Sequence, residues 1–327
     1  MPVRDVRVAV IIIDFDDHLI TRGIPDLAKQ TLSPSEVVLV TNDLQKLKSN
    51  VVLGWISDCP VRWVPTLKSS RAAEWNVGIA CSSTDYIAFF DPGSSQWSPS
   101  HLEELVKPFL TTSAHPLGWT FGDFDIITDR GTVFAHNMLQ HVGFAHSIRD
   151  VYTFLAGKAP TFLSNSVICR KAFDAIGGFD ELLTDYEDED LFLRMFLSGY
   201  DNQFVTSSVA CRRDLYPFQQ RLPGGHIVYL KKLLQKFPDE PNMKRFITRD
   251  LLAPRFFSTM MAAYKTEIAD GRTDAAMNIL CDLSLVTPLF RITKRPFIKA
   301  IVALSWVGFL IRLICLHVMR DMFTPTR

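Results

Sequence analysis

Four consecutive carboxylates, Glu187-Asp188-Glu189-Asp190, stand directly before an apolar run of Leu191, Phe192, Leu193, Met195, Phe196 and Leu197. Alone, four like charges read as a solvated face. Joined to that apolar pattern they read as the first turn of a buried helix, where the helix dipole and free backbone N–H groups stabilise acids. Gly199 is placed to stop this helix in a left-handed conformation. Upstream, Gly177-Gly178-Phe179-Asp180-Glu181 supplies a turn that can bring backbone close to a ligand. The two stretches present acids beside open backbone, and an ionised carboxylate within hydrogen-bond reach of a hydroxyl can accept its proton. Arg71, or Lys68 before it, could reach a phosphate; a solvated basic residue is the competing reading. His136, His141 and His146 recur every five residues, which spreads them around a helix without a metal-ligand spacing, so they read as surface or acceptor-contacting groups.

These residues need elements to hold them. Val6–Ile13 is a near-continuous β-branched apolar run, as expected of a parallel strand buried on both faces. A helical pattern follows through Leu19, Ile24 and Leu27 to Gln30, then a second strand over Glu36–Val40. Strand, helix, strand is a βαβ unit, and open α/β sheets bind ligands at the carboxyl ends of their strands. Neither a G-x-G-x-x-G after the first strand nor a phosphate-cradling G-x-x-x-x-G-K-[ST] is present, which leaves dinucleotide and P-loop chemistry unsupported. Further expectations are strands over Val61–Leu67, Asp85–Phe90, Trp119 onward, Thr161–Cys169 and Gln203–Val209, with helices over Arg71–Ala80 and from His101. A loop over Arg221–His226 precedes helices over Ile227–Phe237, Met243–Leu252, Arg255–Asp270 and Thr273–Leu285.

The run Ala175-Ile176-Gly177-Gly178-Phe179-Asp180-Glu181, followed by Glu187-Asp188-Glu189-Asp190-Leu191, Arg194 and Gly199-Tyr200, resembles the acceptor-side signature of family-2 glycosyltransferases with the GT-A fold. The likeness extends over about residues 6–215. It implies an α/β domain with a Rossmann-like, mostly parallel central sheet, and inverting transfer of a sugar from a nucleotide-diphosphate sugar to an acceptor hydroxyl. Asp188 matches the family's general base, with Gly178, Asp180, Glu187 and Asp190 on the acceptor side. Phe15-Asp16 ends the first strand where the family has an aromatic-polar pair, and Asp43 ends the second. The resemblance gives Asp16 and Asp43 contacts to base and ribose, with helix capping as the competing reading. Asn76, Gly78 and Ala80 match a helix beside the nucleotide, where Trp75 stands in place of a common arginine. Asn165 and Ser166 are expected to face the acceptor or donor sugar.

Asp91 matches the first acid of an Asp-x-Asp that holds Mg²⁺ or Mn²⁺ against the diphosphate, but Gly93 occupies the second position. Three alternatives stay open: metal held by Asp91 with another ligand, a metal-independent site using Arg or Lys, or an impaired enzyme. His226 matches a downstream histidine that completes the metal shell in many such enzymes. Asp123 and Asp125 also spell an Asp-x-Asp, but after the wrong strand, and read as a structural or acceptor-side element. A catalytically impaired GT-A-like protein that binds sugar nucleotide or a partner enzyme is the alternative to an active transferase. A nucleotidyltransferase would want a Gly-rich basic loop after the first strand, which this chain lacks.

The chain has 327 residues, with 35 Lys plus Arg balancing 35 Asp plus Glu, so its charge does not point to nucleic acid. Its six cysteines lie far apart without a C-x-x-C pair, as suits a reducing compartment. A strand beginning almost at the N-terminus leaves no room for a signal peptide, and the expectation is a cytoplasmic protein. The expected organisation is a catalytic domain over 1–215, a helical extension over 216–290 and a C-terminal helix over 291–327. The extension reads either as a cap on the acceptor cleft or as simple packing. In the last segment seven basic residues face one acid, Asp321, around the uncharged run Ala300–Ile311, too short to span a bilayer. It reads either as a helix on an anionic membrane surface, peripheral on the inner face and suited to a lipid-linked or cell-envelope glycan acceptor, or as a core or dimer helix.

Overall fold

A computed structural model of the chain describes residues 5–13, 24–43, 59–67, 70–92, 95–111, 115–127, 133–141, 148, 150–155, 162–212, 223–237, 239–247, 264, 267–269 and 271–273. The chain divides into two compact units, Met1–Leu215 and Tyr216–Arg327.

The first unit is built on one mixed sheet. Its strands are β1 (Val8–Ile12), β2 (Glu36–Thr41), β3 (Val61–Pro65), β4 (Tyr86–Phe89), β5 (Ser95–Trp97), β6 (Leu117–Ile127), β7 (Val133–Ala135), β8 (Ser166–Cys169) and β9 (Asp201–Arg212). They are ordered β3-β2-β1-β4-β8-β6-β9-β5, with β7 paired to β6. Pairings β3-β2-β1-β4 and β6-β9 are parallel, whereas β8, β5 and β7 run against the other six strands. Every residue of β1 and β2 is buried, because both strands have neighbours on each side and are covered on both faces.

Helices in this unit are α1 (residues 24–28), α2 (Arg71–Ala80), α3 (His101–Val106), α4 (Met138–His141), α5 (Val151–Leu155), α6 (Arg170–Ala175) and α7 (Glu187–Leu197). Helix α2 begins at Ser70, whose Oγ accepts from Ala73 N at 3.3 Å. It closes tightly on the sheet: a Cβ on Gly78 would lie 2.6 Å from Ile11 Cγ2 and 2.8 Å from Val40 Cγ2. Helix α7 buries Leu191, Phe192, Leu193 and Met195, each worth roughly 1.5–3 kcal/mol of apolar transfer. It ends as expected at Gly199, φ +83°, with Tyr200 N donating to Met195 O.

Strand β9 carries a bulge. Gly122 pairs with Val205 but Asp123 pairs with Val209, so Thr206, Ser207 and Ser208 stand out of register. Helix α3 holds the bulge, with Ser207 Oγ donating to Glu104 Oε2 and Ser208 Oγ 2.9 Å from His101 Nδ1. His101 is fully buried against Trp97, and desolvation of its charged form pushes its pKa down to about 3.

Two expected elements differ. The strand expected over Thr161–Cys169 is only β8, preceded by a 3-10 turn at Leu163–Asn165. Asn165 and Ser166 bury their side chains in that turn: Asn165 Nδ2 donates to Gly122 O, and Ser166 Oγ donates to Phe162 O. Both serve the backbone and do not face a sugar.

In the second unit, α8 spans Pro223–Lys236 and α9 spans Pro241–Arg245. Gly224, Gly225 and His226 therefore lie in the first turn of α8 instead of in a loop. Pro223 explains this, since its fixed φ and missing N–H cost nothing at a first helical position. Tyr229, Leu233 and Phe237 are buried one helical turn apart. Gly271, between the helices expected over Arg255–Asp270 and Thr273–Leu285, has φ +73°. Among the described residues no helix is long and apolar enough to cross a membrane. The basic tail over 291–327 lies outside the described residues.

Candidate active site

The four acids of α7 meet different fates. Glu187 is nearly buried and its Oε1 lies 3.3 Å from Arg71 Nε. Asp190 is fully buried, its Oδ2 2.6 Å from Arg194 Nε, and Arg194 Nη1 donates to Ile176 O. This pair locks α7 to the end of α6, so Asp190 acts as a packing anchor and is not open to an acceptor. Asp188 and Glu189 are half-buried. Among the described residues, the hydrogen bond to the Asp188 carboxylate comes from the Glu189 N–H at 2.8 Å. Asp188 thus presents a carboxylate with most of its acceptor capacity unspent. The residue before the helix, Tyr186, holds φ +66° and ψ +19° while buried, a conformation that costs a bulky side chain on the order of 1–2 kcal/mol. Such strain concentrates where geometry matters for function.

The Gly-Gly-Phe-Asp turn is fixed just as firmly. Gly178 is buried with φ +75°, and a Cβ there would meet Asn76 Oδ1 at 2.8 Å. Asn76 grips the next residue from both sides: its Nδ2 donates to Phe179 O at 2.9 Å and its Oδ1 accepts from Phe179 N at 2.9 Å. Nδ2 also reaches Glu181 Oε1 at 3.2 Å. The Phe179 ring stands edge-on to Phe89 and Phe173, and Phe89 stands edge-on to Trp75. Trp75, where an arginine was the comparison, is therefore a core residue, buried to 2% exposure and turned into the sheet. Asp180 closes the turn, its Oδ1 accepting from Leu182 N.

Topology gathers these groups at one edge. Strands β2, β1 and β4 are parallel, and the chain order reverses between β1 and β4, the usual ligand crevice of an open α/β sheet. Asp43 follows the carboxyl end of β2, with its N–H bonded to Thr41 Oγ1. Asp91 follows the carboxyl end of β4, half-buried, its carbonyl accepting from Ser95 N. Helix α2 starts after the carboxyl end of β3, so Arg71 lies at the same edge. The Arg71–Glu187 and Phe89–Phe179 contacts then bring α7 and the glycine turn there too. The structure thus unites Arg71, Asp43, Asp91, Gly178, Asp180, Glu187 and Asp188 around one edge. Asp16 and Gly93 lie outside the described residues, as does the side chain of His226, whose backbone belongs to the second unit.

Among the described residues no group of three His, Cys, Asp or Glu side chains could hold a metal ion. Of the two residues expected to hold an ion, Asp91 is described to its side chain, half-buried just past β4.

The other Asp-x-Asp is structural. Asp123 is fully buried, and its carboxylate accepts from the N–H groups of Phe124, Leu139 and Gln140, fixing the start of α4. Asp125 accepts from Asn137 N and pairs with the exposed His136. What sequence reasoning missed was Asn76 as a clamp; an amide between Trp75 and the tightly packed Gly78 on α2 was the available signal.

No protein-family model matches the sequence, and no curated protein matches it. Solved structures do. S. aureus TarS (residues 1–349) superposes with a TM-score of 0.64 at 15% identity, over 93% of this chain and 89% of that one. The same protein in complex with UDP-GlcNAc gives 0.62 at 14% identity, over 92% and 89%. The mannosyltransferase PcManGT from Pyrobaculum calidifontis, in complex with GDP-Man and Mn²⁺, gives 0.50 at 16% identity, over 93% and 85%. With so little identity the likeness is one of architecture, and that architecture is the GT-A fold.

Proposed function

We propose that this chain is an inverting glycosyltransferase that moves a sugar from a nucleotide-diphosphate sugar to an acceptor hydroxyl. The observation that carries the reading is Asp188: a strongly anchored, half-open carboxylate at the edge where β1, β2 and β4 end. Its neighbours leave it free to act. Arg71 engages Glu187, Arg194 engages Asp190, and Asp188 keeps acceptor capacity for a substrate hydroxyl. The hydroxyl oxygen attacks the anomeric carbon as Asp188 takes its proton, and the bond to the nucleoside diphosphate breaks on the opposite face.

Asp43, just past β2, is read as the contact to ribose or base, and Asp91 would hold a divalent cation together with diphosphate oxygens. When bound, that ion offsets the charge that builds on the leaving group. The exposed half of Arg71 is suited to the same phosphates through its guanidinium fork. The acceptor side is the turn from Gly178 to Asp180. Leu182, 75% exposed two residues past this turn, offers an apolar contact, which with the basic apolar tail suits a lipid-linked or cell-envelope glycan acceptor near an anionic membrane surface.

The test is turnover by the purified chain with a panel of UDP-, GDP- and TDP-sugars, with and without Mn²⁺ or Mg²⁺, and with the anomeric configuration of the product read by NMR. Inverted product from at least one donor is expected. Retained configuration would overturn the single-displacement mechanism. Donor binding without turnover, with lipid-linked acceptors also supplied, would favour the sugar-nucleotide-binding scaffold to which Gly93 points.

A further inference from the structure

We propose that Asn76 is the positioning residue for Asp188, acting through the segment 179–187. This rests on the reading of Asp188 as the base. Helix α2 holds that segment at both ends. At its start, Asn76 takes the Phe179 N–H and C=O in a two-sided grip and reaches Glu181 as well. At its end, Arg71 pairs with Glu187, the residue before Asp188. Between the two, Leu183 is buried and Tyr186 is held in a left-handed conformation. Strain of that kind persists only when the surroundings over-determine it.

The grip is built for this one partner. Gly178 leaves the space that Asn76 Oδ1 needs, since a Cβ would come within 2.8 Å of it. Asn is the residue type the task requires. It supplies an acceptor for an N–H and two donors for a C=O and a carboxylate from one short, rigid group. Aspartate would keep the acceptor but set a second oxygen against the Phe179 carbonyl and the Glu181 carboxylate. Helix α2 itself is seated on β1 and β2 by the close approach of Gly78 and on β4 by Trp75 against Phe89, independently of Asn76. Loss of the Asn76 amide therefore releases the front of the strap and leaves the donor edge in place. A displacement of about 1 Å in a catalytic group can cost on the order of 100-fold in rate.

The experiment uses the full chain with Asn76→Ala, Asn76→Asp and the double change Asn76→Asp with Glu181→Gln. Measured are kcat, donor KM, melting temperature and amide exchange from Gly178 to Leu183. Expected is a 10- to 100-fold loss of kcat in both single variants with donor KM within twofold. Exchange should rise at Phe179, Leu182 and Leu183 while protection in α2 and α7 persists. Partial recovery of kcat in the double variant would support the geometry, because the new amide can face the new carboxylate. An unchanged kcat, or kcat and donor KM worsening together in step with the melting temperature, would overturn the proposal. Were the unaltered protein to turn over no donor, the transferase reading and the kinetic half of the proposal would fall together. Unchanged exchange at Phe179 in Asn76→Ala would overturn the clamp on its own.

Discussion

Two acidic motifs in this chain look alike in sequence and differ in what the fold has done with them. Within the second half of β6, Asp123 accepts three backbone N–H groups in full burial, and Asp125 is engaged by Asn137 and His136. In the first turn of α7, Arg71 and Arg194 take up the outer two acids, and Asp188 between them bonds only its neighbour's N–H among the described residues. A carboxylate saturated by main-chain amides is part of the scaffold. One held in place by its neighbours' ion pairs, with most of its own acceptor capacity unspent, is equipped to take a proton.

That contrast can be broken most sharply at Asp123. Asp123→Ala strands three backbone donors around a buried site and should lower the free energy of unfolding by about 2–3 kcal/mol, measured by urea denaturation. A variant with unchanged stability and lost turnover would mean that the β6 motif belongs to the site after all. The contrast is sharpened more gently through His101, which with Ser208 pins the β9 bulge opposite Asp123. Its folded pKa of about 3 lies below the ordinary 6.5, so the unfolded chain takes up the proton first. This contribution to stability is whole above pH 6.5 and falls as pH drops toward 3, by up to about 1.4 kcal/mol per pH unit. Chemical denaturation across pH 4–7 should show that slope, and His101→Gln should flatten it; an identical slope in the variant would remove His101 from the account.

Much of the frame was legible in the sequence. The apolar runs marked β1, β2 and β4, the bounds of α2 were read as they stand, and the acidic run with Gly199 bracketed α7. Local pattern suffices for such elements because period and caps are written in neighbouring residues. The Asp190–Arg194 pair was legible in principle for the same reason, being four residues apart on one helix. The partners that decide chemistry were not. Arg71 meets Glu187 across 116 positions, and Asn76 meets Phe179 across 103. Asn165 and Ser166 were expected to face a sugar because nothing local shows that a 3-10 turn consumes their side chains. The first turn of α8 was expected to be loop; paired glycines disfavour a helix, and Pro223 alone marks its start.

The central claim is that the open carboxylate on α7 is the base, and single-turnover transfer by Asp188→Asn at saturating donor tests it most directly. The amide keeps the shape but cannot take the proton, so the rate should fall by 10²- to 10⁴-fold with donor affinity and melting temperature unchanged. A rate within threefold of the unaltered protein would contradict the claim and move the search for the base elsewhere along the same edge, beginning with Glu189.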